Sequence, residues 1–146
     1  MTKYTVLLTC LVLAVFSPAI ALSKTEAITH RMDPQKASRA LAGEAGGQSD
    51  VELIAHAYAL RNRGTLRGVY GLNAPHLARE PKSTFLRAES AWRAALAGGK
   101  DPVDGRTEWR SDYDLKLMAR RGETPRSAGL CDPIKIGSTT FYRLKK

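Results

Sequence analysis

Cysteine is scarce in this chain, with only Cys10 and Cys131 among 146 residues. Cys10 lies inside an apolar run near the N-terminus, and removal of that run would leave Cys131 without an intramolecular disulfide partner. The residue before Cys10 is Thr9 rather than a small residue, so a lipoprotein cleavage site is not indicated. No general base lies near Cys131 in the sequence, so a cysteine nucleophile is a weak hypothesis.

Metal-binding patterns are also missing. The three histidines, His30, His56 and His76, are far apart, and His56, in the middle of a predicted helix, has no partner at the i+4 spacing that helical zinc sites use. The chain has no zinc-type Cys/His spacing, no glycine-rich phosphate loop and no internal repeat. We therefore expect no metal and no cofactor.

The N-terminus resembles an export signal. Lys3 precedes an apolar run from 6 to 20, and Ala19-Ile20-Ala21 has the small-x-small pattern of a cleavage site. The run is short for a membrane span, although an uncleaved anchor remains an alternative. We predict a signal peptide at 1–21, a flexible leader at 22–34 and one folded domain at 35–146.

Acidic residues are outnumbered by basic ones, 14 to 23, which gives a formal net charge of +9. Outside the cytoplasm such a protein meets cell-wall polymers and anionic lipid surfaces rather than nucleic acid. Charge alone could equally serve solubility. We expect a monomer attracted to an anionic wall polymer or membrane surface.

The patterning predicts an α+β domain that is mostly α. Three helices are indicated: an alanine-rich one from Gln35 to Ala45, one with a Ser49/Glu52 capping box that ends before Gly64, and one capped by Ser83 or Thr84 that buries Trp92. Loops are predicted at 65–81 and 124–133, a turn at 101–105, and irregular chain at 106–121 with a short helix near 115–120. A hairpin is predicted at 134–143, where a turn at Gly137-Ser138 places Ile136 opposite Thr139 and Ile134 opposite Phe141.

Glu44 is the leading candidate for chemistry. It shares a helical face with Ala37, Ala40 and Leu41, and poor solvation there would favour a protonated carboxyl group, as a general acid requires. The plainer interpretation is a solvated glutamate in a last helical turn. Aromatic and amide side chains in predicted loops or the hairpin are candidate sugar contacts: Tyr70, Asn73, Trp109, Tyr113 and Tyr142.

Glycosidic bond cleavage fits one such acid. The spacing does not select a second carboxylate among Asp50, Asp101, Asp104 and Glu108. That pattern is compatible with a lytic transglycosylase, in which one carboxyl acts first as acid and then as base.

Three ordered motifs resemble the SleB-type cell wall hydrolase family. The first is Ala42-Gly43-Glu44-Ala45-Gly46-Gly47-Gln48, and the second is the helix end Arg61-Asn62-Arg63, continuing into Gly68-Val69-Tyr70-Gly71. The third is the tail, with an alanine-rich helix around Trp92, then Asp101-Pro102 and Gly105, then Ile136 to Arg143. The resemblance implies a lysozyme-like or lytic-transglycosylase-like fold that cleaves between N-acetylmuramic acid and N-acetylglucosamine. It implies Glu44 as the catalytic acid, whereas Asn62 and Arg63 could either orient Glu44 or brace the helices. Asn62 is also a candidate substrate contact, together with Tyr70, Trp109 and Tyr142 from the loops and the hairpin.

The chain departs from the family pattern at 105–109 and at Ser138-Thr139, where relatives carry an Asn-His pair. Three hypotheses follow: an exported peptidoglycan-cleaving enzyme, a non-catalytic cationic wall-binding protein on the same scaffold, and a cationic interaction protein of no enzymatic class.

Overall fold

Residues 32–145 are described by a computed structural model of the protein, and they form four α-helices and a three-stranded sheet. The helices are α1 (Pro34–Ala45), α2 (Asp50–Arg63), α3 (Lys82–Ala97) and α4 (Asp112–Arg120). The strands are β1 (Glu108–Ser111), β2 (Leu130–Ile136) and β3 (Thr139–Leu144). Two 3-10 helices, Tyr70–Asn73 and Pro75–Arg79, lie between α2 and α3. The predicted class, α+β with a helical majority and a C-terminal hairpin, is confirmed.

The folded domain begins earlier than predicted. The predicted signal peptide and most of the predicted leader lie outside the described residues, but Met32 is only 2 % exposed and belongs to the hydrophobic core. Asp33 caps α1 by accepting a hydrogen bond from the Gln35 amide at 2.8 Å. Pro34 then suits the first helical position, where a backbone donor is not needed. Met32 and Asp33, which the sequence assigned to the leader, therefore contribute to the folded structure.

Both ends of α2 lie where the sequence predicts them. Ser49 and Glu52 form a reciprocal capping box, and Gly64 ends the helix with φ of 69°. The start of α3 differs, because it follows Pro81 without a side-chain cap. Thr84 instead donates its hydroxyl to Glu80 at 3.0 Å inside the first turn.

The sheet has the order β1-β3-β2 with antiparallel pairing throughout. The predicted hairpin register is confirmed, with Ile134 opposite Phe141 and Ile136 opposite Thr139. β2 begins four residues before the predicted hairpin, at Leu130, and an irregularity lies between Cys131 and Ile134. Pro133 falls in this irregularity, where its missing N–H does not interrupt the ladder.

The predicted irregular segment at 106–121 is ordered. β1 pairs with β3 at the sheet edge, and α4 begins directly afterwards because Ser111 and Asp114 form a second capping box. The predicted short helix is therefore confirmed but begins earlier, at Asp112.

Helices α1, α2 and α3 contact one another around a core that includes Trp92, which is 1 % exposed. The sheet joins this core through Phe141, whose ring lies 5.1 Å from the buried ring of His56 on α2. No helix among residues 32–145 combines the length and apolar character that a membrane crossing requires.

Candidate active site

Two glycines bring the backbone of the first 3-10 helix against α1. A Cβ atom on Gly43 would lie 2.0 Å from the Gly71 carbonyl oxygen, and one on Gly71 would lie 2.2 Å from the Ala40 carbonyl oxygen. Such distances leave no room for any side chain at either position. This close approach lets the Gly71 amide donate a hydrogen bond to Glu44 Oε1 at 2.7 Å.

The second oxygen of Glu44 is held by an aromatic side chain. Trp109 lies on the edge strand β1, and its Nε1 donates a hydrogen bond to Glu44 Oε2 at 3.1 Å. The two donors lie 27 and 65 residues from Glu44 along the chain. The half-buried carboxylate is thus oriented by two N–H groups that only the tertiary fold brings together.

A buried histidine supports the tryptophan. The His56 ring meets Trp109 edge-on at a centroid distance of 5.6 Å, and its Nδ1 lies 2.8 Å from the Glu52 carbonyl oxygen. A carbonyl only accepts, so this contact places a proton on Nδ1. Burial lowers the pKa of His56, opposed by the Glu52 hydrogen bond and the charges of Glu44 and Glu52. His56 is therefore a neutral support for Trp109.

Glu44 opens into a cavity of about 450 Å³. Its walls come from α1, the end of α2, the following loop, β1 and α4. The lining residues are Glu44, Arg63, Gly68, Tyr70, Glu108, Trp109, Arg110, Asp114, Leu117, Met118 and Arg121. Three acidic side chains and three arginines therefore border a space large enough for sugar units.

Arg63 braces the site without touching Glu44. Its guanidinium donates to Glu108 at 3.1 Å and to the Arg67 carbonyl at 2.9 Å, and it lies 5.9 Å from the centre of the Trp109 ring. Of the two sequence-based interpretations, orientation of the acid or bracing of the helices, the contacts favour bracing, here of β1 against the end of α2.

Two of the predicted substrate contacts lie with Glu44 and two do not. Tyr70, 67 % exposed, and Trp109 line the cavity. The Asn62 amide instead donates to Asp101 at 2.8 Å and stabilises the 101–105 turn. Tyr142 is 4 % exposed and lines a different cavity beside Cys131.

Only one of the four candidate second carboxylates, Glu108, lines the cavity, and it is paired with Arg63. Asp50, Asp101 and Asp104 bind Arg87, Asn62 and Arg143 elsewhere. Sequence reasoning missed Asp114, which lines the cavity while capping α4 through Ser111. The S-x-x-D spacing at 111–114 is the signal that could have located it.

No group of three or more His, Cys, Asp or Glu side chains within residues 32–145 is arranged to hold a metal ion. Comparison with family profiles, curated proteins and solved structures yields no match to this chain. The SleB-type resemblance therefore stays a prediction carried by the sequence motifs.

Proposed function

We propose that the protein is an exported enzyme that cleaves the bond between N-acetylmuramic acid and N-acetylglucosamine in peptidoglycan, with Glu44 as the catalytic acid. One observation carries this proposal. Among the acidic residues that line the cavity, Glu108 is paired with Arg63 and Asp114 caps a helix, whereas Glu44 has neither commitment within residues 32–145.

The chemistry needs a single carboxyl group. Protonated Glu44 donates its proton to the glycosidic oxygen as the bond from that oxygen to the muramic C1 breaks, leaving positive charge on the sugar ring. The resulting carboxylate then removes a proton from the muramic C6 hydroxyl as its oxygen bonds to C1. Attack by water in place of that hydroxyl gives the hydrolytic outcome. Activation of water would need a second carboxylate, but Glu108 is paired with Arg63 and Asp114 caps α4. These contacts favour attack by the C6 hydroxyl.

The surroundings of Glu44 suit a glycan. Trp109 and Tyr70 offer aromatic surface beside the acid, and β1 is an edge strand that borders the cavity. Aromatic faces stack on sugar rings, and the unpaired backbone groups of an edge strand can bind acetamido groups. The positive net charge adds attraction to an anionic wall.

A non-catalytic wall-binding protein on the same scaffold is the second candidate. The observation that favours it is that both oxygens of Glu44 already accept hydrogen bonds from the protein. A purely structural carboxylate that joins α1, the 3-10 helix and β1 would show the same contacts.

The deciding experiment incubates the mature protein with peptidoglycan sacculi and analyses released fragments by mass spectrometry. Glu44→Gln removes the acid, and Glu123→Gln is the matched control, since Glu123 is exposed and lies outside the cavity. We expect anhydro-muropeptides from the wild type and the control but not from Glu44→Gln. Reducing-end fragments would identify a hydrolase instead.

The same assay separates the two remaining hypotheses if the enzyme hypothesis is wrong. If all three proteins sediment with sacculi but release nothing, the wall-binding candidate holds. Sedimentation that persists in high salt indicates a carbohydrate-binding cleft, because salt screens exposed ionic contacts. A protein that neither cleaves nor sediments belongs to the third class, a cationic interaction protein.

A further inference from the structure

We propose that Arg110 and Arg121 bind a carboxylate on the lactyl-peptide substituent of muramic acid, so that the cavity selects glycan carrying acidic peptide stems. The inference rests on the proposed function of Glu44 and adds the part of the substrate that the arginines recognise.

The hydrogen-bonding capacity of these arginines is largely unused. Arg110 donates from Nη1 to the Trp109 carbonyl oxygen at 2.6 Å, and its Nε and Nη2 make no hydrogen bond within residues 32–145. The side chain of Arg121 makes neither a hydrogen bond nor an ion pair to any residue in that range. Arg63, the third cavity arginine, is by contrast engaged with Glu108. Arg110 and Arg121 thus present donors to the cavity.

Local structure places these two arginines in the wall of the cavity that Glu44 lines. Arg110 directly follows Trp109, whose indole binds Glu44, and the hydrogen bond to the Trp109 carbonyl limits where its guanidinium can go. Arg121 follows the last residue of α4, and its backbone amide bonds to the Leu117 carbonyl at 3.3 Å. Recognition of an anion and the proposed chemistry would therefore share one cavity.

The chemistry of the ligand follows from the geometry of guanidinium. Its planar fork of donors matches a carboxylate, to which it forms paired, charge-assisted hydrogen bonds. The two sugars of peptidoglycan are uncharged, and the anionic groups of the polymer lie on the lactyl-linked peptide stems. Two arginines in the cavity that Glu44 lines are thus suited to the stem rather than to the sugar backbone.

The test measures binding of a soluble disaccharide-tetrapeptide, N-acetylglucosaminyl-N-acetylmuramyl with its stem, by isothermal titration calorimetry. This ligand lacks the bond to be cut, so wild-type protein with intact Glu44 can be used. The comparison ligands are the same molecule with its carboxylates converted to amides, and an uncharged N-acetylglucosamine trimer.

The variants are Arg110→Gln and Arg121→Gln, with Arg120→Gln as control, since Arg120 is exposed and lies outside the cavity lining. We expect Arg110→Gln and Arg121→Gln each to bind the acidic ligand about tenfold more weakly than the wild type does. Arg120→Gln should bind the acidic ligand with wild-type affinity, and no substitution should change the affinity for the amidated ligand. Thermal melts check that every variant is folded.

Several outcomes would overturn the proposal: equal wild-type affinity for acidic and amidated ligands, equal weakening by all three substitutions, or no binding of the acidic ligand. The sacculus assay decides catalysis separately. Cleavage of sacculi together with equal binding of acid and amide would refute stem recognition alone. Arginine-dependent binding without cleavage would refute the enzyme hypothesis alone.

Discussion

Glu52 joins α2 to the hairpin through hydrogen bonds to its charged carboxylate, and we expect these bonds to contribute strongly to stability. Its Oε1 accepts hydrogen bonds from the Ser138 amide at 2.6 Å and the Ser138 hydroxyl at 2.9 Å. Its Oε2 accepts from the amide and hydroxyl of Ser49. The residue is only 8 % exposed, so water replaces these donors poorly. Glu52→Gln removes the charge and turns an amide NH₂ group toward one of the two sets of donors.

The magnitude follows from these contacts. Hydrogen bonds to a charged group contribute about 1.5–3 kcal/mol, so we expect Glu52→Gln to lower the free energy of unfolding by about 2 kcal/mol at pH 7. For a domain of this size that corresponds to a decrease of about 8 °C in melting temperature. The control is Glu123→Gln, which makes the same charge change at an exposed turn.

The effect should depend on pH in a defined direction. The Ser138 amide hydrogen bond is the main cause that lowers the pKa of Glu52 from 4.5 to about 2, against an opposing effect of burial. The unfolded chain therefore takes up this proton first as the pH falls, and the stabilisation is lost between about 4.5 and 2.

Urea unfolding of wild type, Glu52→Gln and the control between pH 7 and pH 2.5 tests this expectation. The difference between wild type and Glu52→Gln should be largest at neutral pH and shrink below pH 4.5. A difference that is the same at pH 7 and pH 2.5, or no larger than that of the control, would refute the reasoning.

Two further predictions concern the orientation of Glu44. Gly71→Ala would place a Cβ 2.6 Å from Glu44 Cγ, so we expect a loss of about 1–3 kcal/mol in urea unfolding and loss of sacculus cleavage. Gly47→Ala, with no atom within 4 Å, is the control, and equal behaviour of the two variants would contradict the close-approach argument. Trp109→Phe keeps an aromatic ring but removes the donor to Glu44, so fragment release should slow at least about tenfold and the free energy of unfolding should fall by about 1.5–3 kcal/mol. An unchanged rate would show that the indole does not orient the acid.

The features of the fold that the sequence predicted are local ones. The capping box at Ser49, the left-handed Gly64 and the two-residue turn at Gly137-Ser138 each depend on a few neighbouring residues, and each is present. β1 was missed because its four half-buried residues have no apolar alternation and exist as a strand only through pairing with β3.

At the candidate site, too, local features were predictable from the sequence and tertiary contacts were not. A helical face identified Glu44, but no spacing rule relates it to Gly71 or Trp109, which reach it only in the tertiary structure. Asn62 illustrates the opposite error, since a motif suggested a role at the site and the amide instead stabilises a turn. Ser138, a departure from the family pattern, has a structural role here as the donor to Glu52.

A series of contacts that begins within one turn of α2 links the Ser49/Glu52 capping box to Glu44, the candidate catalytic acid. The Glu52 side chain holds the hairpin turn, while its carbonyl oxygen lies 2.8 Å from His56 Nδ1. Gly137 permits this contact, because its φ is 58° and a Cβ there would lie 2.2 Å from the Glu52 carboxyl group. The His56 ring in turn supports Trp109, which donates to Glu44. The capping box that begins α2 therefore also holds the hairpin turn in place through Glu52. The orientation of Glu44 thus depends on residues outside the cavity.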